Sequence, residues 1–225
     1  MPRSARVAPG GMVFHVLNRR VDCKTLFHCD ADYRAFEKVL REAGTLVGIR
    51  ICAYCLMPNH WHMALWPSRD GELSSFMHRL TLTHAVRWKV HNSSMGKGHL
   101  YQNRFKSFPV QSDEHYLTVV RYIERNALRA NLVERAEEWH YSSLWRRRTH
   151  PVGDDPLVSA GPVDLPDDWV ERVNRPETSA ELEALRASVR RGNPYGTESW
   201  QKETARELDL ESSRRPRGRP KKSSQ

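Results

Sequence analysis

The chain is expected to fold as an α+β domain: an antiparallel sheet with helices on one face and one further helix added at the end. Two observations carry this. Between residues 11 and 133 the hydrophobic period switches in the order strand, helix, strand, strand, helix, strand, helix. That order is a ferredoxin-like split β-α-β pattern with a final helix appended. In addition, two apolar runs at 49–56 and 60–66 flank Met57-Pro58-Asn59, whose residue types suit a tight connection.

The elements follow in order. GMVFHVLNRR (11–20) is a short β-rich run that ends in Arg19 and Arg20. Residues 30–48 are amphipathic, with Tyr33, Phe36, Val39, Leu40, Ala43 and Leu46 as the stripe; Asp30 can cap the start, and Gly48 lies past the end. After the two strands, residues 72–92 place Leu73, Phe76, Met77, Leu80, His84 and Trp88 at helical spacing. RFKSFPV (104–110) alternates like a strand. The last helix, 112–133, has Ser112 as its N-cap and acids in its first turn.

Composition divides the chain further. Residues 1–148 read as the main domain, and 149–168, rich in Pro, Gly and Asp, as a linker. Residues 169–210 read as a helical extension with helices near 178–191 and 197–209, and 211–225 as a basic tail expected to be disordered when free.

Hydrophobic residues make up 39% of the 225. No apolar run approaches the ~20 residues that span a bilayer. The N-terminal MPRSARVAPGG lacks the apolar core of a secretory signal, so a cytoplasmic protein is expected, with no membrane partner. The net charge is +9; six basic residues against one acid in 211–225 put +5 of it in the tail. This balance favours a polyanion, and without a basic amphipathic helix the expected polyanion is nucleic acid.

The four cysteines do not suggest a disulfide framework in a cytosolic chain. Cys52 and Cys55 have zinc-like spacing but sit in a strand, where positions three apart face opposite sides. Buried small hydrophobes are expected.

His60 and His62 share one strand face, about 7 Å apart along the strand, while Trp61, Met63 and Leu65 share the other. The bulky set should face the helices. Two imidazoles at that separation can close on one borderline divalent metal ion and leave positions for oxygen ligands. The alternative is a solvated strand face that happens to carry two histidines.

On the helix at 112–133, a 100° wheel puts Tyr116 in the apolar stripe. It puts His115, Thr118, Asn126 and Arg129 within about 40° of Tyr122. Tyr122 is therefore expected to point outward, with the Asn126 amide one turn away. An exposed tyrosine beside a surface asparagine fits equally well. Arg19 and Arg20, with Arg104 and Lys106 around Phe105, form a basic and aromatic set of the kind that single-strand binders use. A charged, solvated surface is the other reading. In the tail, Arg217-Gly218-Arg219-Pro220 looks like an AT-hook, whose arginines enter an A·T minor groove.

Taken together, the motifs resemble a known family. MPNHWHMAL matches the His-hydrophobic-His motif of the HUH endonuclease superfamily. RYIERNALRANLV, YQNRFKSFPV and the C-terminal GRP tail resemble the REP-associated branch of the single-tyrosine transposases. The resemblance implies a catalytic domain over 1–148 whose added helix carries the tyrosine. It implies a metal-dependent nuclease and strand transferase that cuts single-stranded DNA beside REP-type hairpins. In that reading Tyr122 is the nucleophile, His60, His62 and Asn126 hold Mg2+ or Mn2+, and the products are a 5′-phosphotyrosine and a free 3′-hydroxyl. Related transposases often carry glutamine at the Asn126 position; asparagine is one methylene shorter. The resemblance also implies a location at the nucleoid and leaves monomer and homodimer open. The alternative is a hairpin-binding regulatory protein of the same fold without catalysis.

Overall fold

The computed structural model of the protein describes residues 7–150 and 157–215. Strands β1 (Val13–Arg19), β2 (Arg50–Met57), β3 (His60–Trp66) and β4 (Lys106–Val110) form one antiparallel sheet in the order β2-β3-β1-β4. The connections explain that order. The crossover through α1 (Asp30–Val47) leaves a gap between β1 and β2, and the turn at 58–59 folds β3 back into it. α2 (Glu72–His91) then returns the chain to the free edge of β1, where β4 pairs.

Strand alternation splits the core in two. Phe14, Val16, Tyr54, Leu56, Trp61, Met63 and Leu65 pack with the stripes of α1 and α2. Phe36 and Leu40 of α1 and Phe76 and Leu80 of α2 are fully buried there. Each such side chain stabilises the fold by about 1.5–3 kcal/mol. Val13, Ala53, Cys55, Ala64, Phe108 and Val110 line the opposite face, which α3 (Glu114–Glu124) covers with Tyr116, Leu117, Val120 and Ile123. The expected fold class is the observed one: α1 and α2 on one face, and the tyrosine helix added on the other.

The helix ends differ in detail from the expectation. Gly48 closes α1 in the left-handed region, its N–H donating to Gly44 O at 2.8 Å. Asp30 lies inside the helix and Cys29 takes the cap position; Asp32 Oδ2 instead accepts from His28 N at 2.7 Å. Asp113, rather than Ser112, caps α3 by accepting from His115 N at 2.8 Å. The single long helix expected here is interrupted at Arg125 and resumes as α4 (Asn126–Arg129).

The C-terminal third seals the sheet. After α5 (Ser143–Thr149), residues 157–168, read from composition as a linker, run along β2: Ser159 N donates to Ile51 O at 2.9 Å, and Leu157 is buried. Gly161 passes so close to the Tyr116 hydroxyl that a Cβ would not fit. α6 (Trp169–Asn174), a helix that periodicity did not reveal, adds Trp169 and Val173 to the second core. α7 (Ser179–Arg191) packs on β4, and Tyr195 beyond it extends the sheet edge through hydrogen bonds with Pro109 and Gln111. Both edges are thus covered, which removes the unpaired rows that invite aggregation. α8 (Glu198–Glu207) and the single turn α9 (Glu211–Arg214) follow. The tail arginines Arg217 and Arg219 lie outside the described residues. Among those residues no helix is long and apolar enough to cross a membrane.

The cysteine expectation needs one correction. The β2–β3 register shifts between Ile51 and Ala53. This bulge puts Cys52 on the same face as Cys55, so both thiols lie in the core beneath α3. Burial pushes the Cys52 thiol up to about 11 and the Cys55 thiol up to about 12, so both stay protonated and are poor metal ligands.

Candidate active site

Register decides which side chains can meet. His62 lies opposite Leu17 and His60 opposite Arg19 across the β1–β3 ladder. Odd positions of β1 and even positions of β3 and β4 face α3, so His15, Arg19, His60, His62 and Lys106 share one side of the sheet. The His60 and His62 ring centroids are 5.1 Å apart. α3 lays Tyr122 against them, its ring centroid 5.8 Å from His62 and 6.2 Å from His15. Asn126, at the start of α4, is buried one turn further on.

Tyr122 does not point outward: it is only 7% exposed. The wheel located the apolar stripe correctly, since Tyr116 is buried in it. It could not show that a second layer, made by α6 and the start of α7, covers the other flank of α3.

The imidazoles are held neutral. Burial pushes His15 down to about 3 and His60 down to about 4, with Arg19 and Arg129 adding to the effect on His60. Burial, together with His15 and His60 nearby, holds His62 well below the usual histidine range. Neutral imidazole is the form that binds metal. His60 Nδ1 lies 2.5 Å from Asn59 Oδ1, an oxygen that can only accept, so Nδ1 carries the proton and Nε2 keeps its lone pair.

Asn126 Oδ1 accepts from Arg129 Nη2 at 3.1 Å, while its buried Nδ2 has no partner. Among the described residues no three His, Cys, Asp or Glu side chains gather around one point, so a third protein ligand would come from another donor, for which the Asn126 amide oxygen is a candidate. Two neutral imidazoles plus an amide oxygen suit a borderline or hard divalent cation with open positions.

Two residues of the site were missed in the sequence. His15 shares the sheet face of His60 and His62 and hydrogen-bonds His62; alternation on β1 could have found it. Arg129 lies over the Tyr122 ring at 4.0 Å from the centroid. The wheel had placed it near Tyr122 without giving it a role.

The basic set divides. Arg19, Arg104 and Lys106 line a cleft with Asn18, Gln102 and Val189. It shares Arg104 and Lys106 with an adjoining groove of about 550 Å³, which Arg190 and Arg191 of α7 border. Arg20 is elsewhere. Strand alternation turns it to the α2 face, where its guanidinium lies 4.3 Å over Trp88 and donates to Thr25 O.

A sequence model of the family described as "Transposase IS200 like" matches residues 11–126. A solved structure of a REP-associated tyrosine transposase bound to a REP hairpin is similar with a TM-score of 0.52 at 20% identity, covering 73% of this chain and 94% of that one. At that identity the likeness is one of fold. A crystal structure assigned to a transposase from Deinococcus radiodurans R1 has 17% identity and a TM-score of 0.40 over 55% of this chain and 96% of that one, too low to argue from. No curated protein matches the chain.

Proposed function

The chain belongs to the IS200-like transposase family, and from that premise we propose that it is a metal-dependent single-strand DNA endonuclease and strand transferase acting beside REP-type hairpins. One observation carries the reading: Tyr122 stands against His62 at 5.8 Å between ring centroids, in a pocket where the imidazoles are neutral. Elements distant in sequence bring a tyrosine to two neutral imidazoles, which supports reading the one as nucleophile and the others as metal ligands. The hairpin bound by the REP-associated transposase of similar fold supports the substrate class.

Tyr122 Oη attacks the phosphorus of a single-stranded phosphodiester as its proton departs. The new O–P bond makes a 5′-phosphotyrosine; the P–O3′ bond breaks, and the leaving oxygen takes a proton to become a 3′-hydroxyl. Because the link retains the energy of a phosphodiester, a second 3′-hydroxyl can reverse the step and join strands. Mg2+ or Mn2+, when bound by His60, His62 and Asn126, would neutralise charge on the scissile phosphate. Arg19, Arg104 and Lys106 offer phosphate contacts along the cleft beside the histidines. In the tail, Arg217 and Arg219 would contact the A·T minor groove of a hairpin stem.

The test is incubation of the full chain with a labelled hairpin carrying single-stranded flanks, in Mg2+ or Mn2+. Wild type should cleave and form a covalent protein–DNA adduct. Tyr122→Phe should bind and do neither. Normal cleavage by Tyr122→Phe would remove the nucleophile assignment, and binding without cleavage by wild type would favour a regulatory hairpin binder.

A further inference from the structure

The C-terminal third touches the tyrosine helix through charge as well as packing. Arg121, Arg125 and Arg129 follow one another at intervals of four and form one stripe across the break between α3 and α4. Two glutamates around the start of α7 meet the stripe. Arg121 Nη2 pairs with Glu181 Oε1 at 2.9 Å. Arg125 Nε pairs with Glu177 Oε2 at 3.0 Å, and Arg129 Nη1 with Glu177 Oε1 at 2.7 Å. Only 2% of the Glu177 side chain is exposed, so its carboxylate is out of water and held by two guanidiniums. Its backbone is fixed as well, because Thr178 caps α7 in a reciprocal box with Glu181.

Arg129 has further contacts, all at the site. Nη2 donates to Asn126 Oδ1 at 3.1 Å and to Tyr122 O at 3.2 Å, while the flat guanidinium covers the Tyr122 ring at 4.0 Å. One group therefore fixes a ring, an amide and a helix end relative to one another. Only a planar fork does this; a lysine ammonium would supply the charge without the geometry. Glu177 in turn is what orients the fork.

We propose that Glu177 is a positioning residue for the reaction: it holds Arg129 on Tyr122 and Asn126, and so makes the C-terminal segment part of the active site. Both Arg129 and Glu177 lie beyond residues 11–126, the stretch the family match covers. The proposal rests on the reading of Tyr122 as nucleophile. Its physical content is orientation. A tyrosine ring free to swing about χ1 spends little time aligned for attack, and misplacement of this order costs about 10- to 100-fold in rate. The clamp leaves the basic cleft untouched, so hairpin affinity should not change with it.

The test uses full-length protein labelled with 3-fluorotyrosine, the Tyr122 resonance being assigned by its loss in Tyr122→Phe. In protein free of metal and DNA, Glu177→Gln and Arg129→Lys should each move or broaden that resonance. In hairpin cleavage under single-turnover conditions both should lose about 10- to 100-fold in rate with affinity unchanged. The double variant should be no slower than the worse single, because both act through one contact. Unchanged resonance and rate in Glu177→Gln, or strictly additive losses, would overturn the proposal. If Glu177→Gln fails to fold, Arg129→Lys, which leaves Glu177 paired with Arg125, decides alone. A wild type that forms no adduct overturns the nucleophile assignment; a wild type that cleaves, with variants equally fast, overturns only the clamp.

Discussion

His15 Nε2 and His62 Nδ1 lie 2.9 Å apart, joined by a buried hydrogen bond between β1 and β3. For His62 to offer Nε2 to a cation, its Nδ1 must carry the proton, and His15 Nε2 must accept it. His15→Phe keeps an aromatic ring against Phe108 but leaves that N–H buried without an acceptor. The expected result is a loss of about 10- to 100-fold in Mn2+ affinity with the fold intact. Titration of the DNA-free protein with Mn2+, followed by electron paramagnetic resonance, measures it. Equal affinity in wild type and variant would show that His62 does not depend on this partner.

On the other face, Trp61 Nε1 donates to Tyr101 Oη at 3.3 Å, and that hydroxyl lies 2.7 Å from His84 Nδ1. Trp61 sits between His60 and His62, so this chain fixes β3 from behind. His84 is buried against Phe27 and Phe36, and burial pushes it down to about 3 although Asp32 acts in the opposite direction. The sign follows directly. Below about pH 6.5 the unfolded chain protonates this histidine and the folded one does not, so stability is full above that pH and falls as pH drops. The contribution approaches about 1.4 kcal/mol per pH unit. His84→Gln keeps an acceptor for Tyr101 and removes the titration. Urea unfolding at pH 7, 6 and 5 should therefore give the variant a shallower loss than wild type; parallel lines would contradict it.

The fold was legible because most elements are locally consistent: the stripe of α1 from Tyr33 to Ala43, the turn at Pro58-Asn59 and the alternation around His60 and His62 agree with their tertiary setting, while Leu46 at the end of the stripe is exposed. Part of the candidate site was legible in the same way: the rings of His60, His62 and Tyr122 pack together, and Asn126 is buried at the start of α4. Long-range packing was not legible. Nothing local announces that the Pro-rich stretch after α5 seals β2, or that Tyr122 is buried between His15 and His62 of the sheet and the Arg129 guanidinium. Cys52 turned because of a bulge that periodicity does not encode. Arg20 separates from Arg19 by simple alternation, which the sequence does encode. The arginine stripe at 121, 125 and 129 was likewise in view. Three cations in register on a helix that must pack call for acidic partners, and Glu177, just before the α7 cap, and Glu181 in its first turn supply them.

Glu124, at the end of α3, is fully buried. It pairs with Arg147, accepts from Ser143 Oγ, and accepts from Trp169 Nε1 at 2.7 Å. It therefore ties the tyrosine helix to α5 and α6. Glu124→Ala leaves the Arg147 charge and the Trp169 N–H without their acceptor. Destabilisation of about 3 kcal/mol is expected, at the low end for a broken buried pair because Arg147 is a quarter exposed. The midpoint of urea unfolding reads this out, and a loss under about 1 kcal/mol would mean that the site relaxes around the missing carboxylate.

The groove between β4 and α7 can be tested by salt. Lys106 and Arg191 border it from opposite walls, one on the sheet and one on the last turn of α7. If single-stranded DNA runs there, each cation that meets a phosphate releases counterions, and log K falls with log salt by about 0.7 per contact for a single strand. Lys106→Ala with Arg191→Ala should therefore flatten the slope by about 1.4 for a flanked hairpin. Neither change should alter the Tyr122 contacts, since neither residue touches that ring. Removal of 211–225, with net charge +5, should flatten the slope further and independently if the tail reaches DNA. Fluorescence anisotropy over a range of salt concentrations separates the two surfaces. A slope that only the truncation changes would put the strand outside the groove and leave the tail as the phosphate contact.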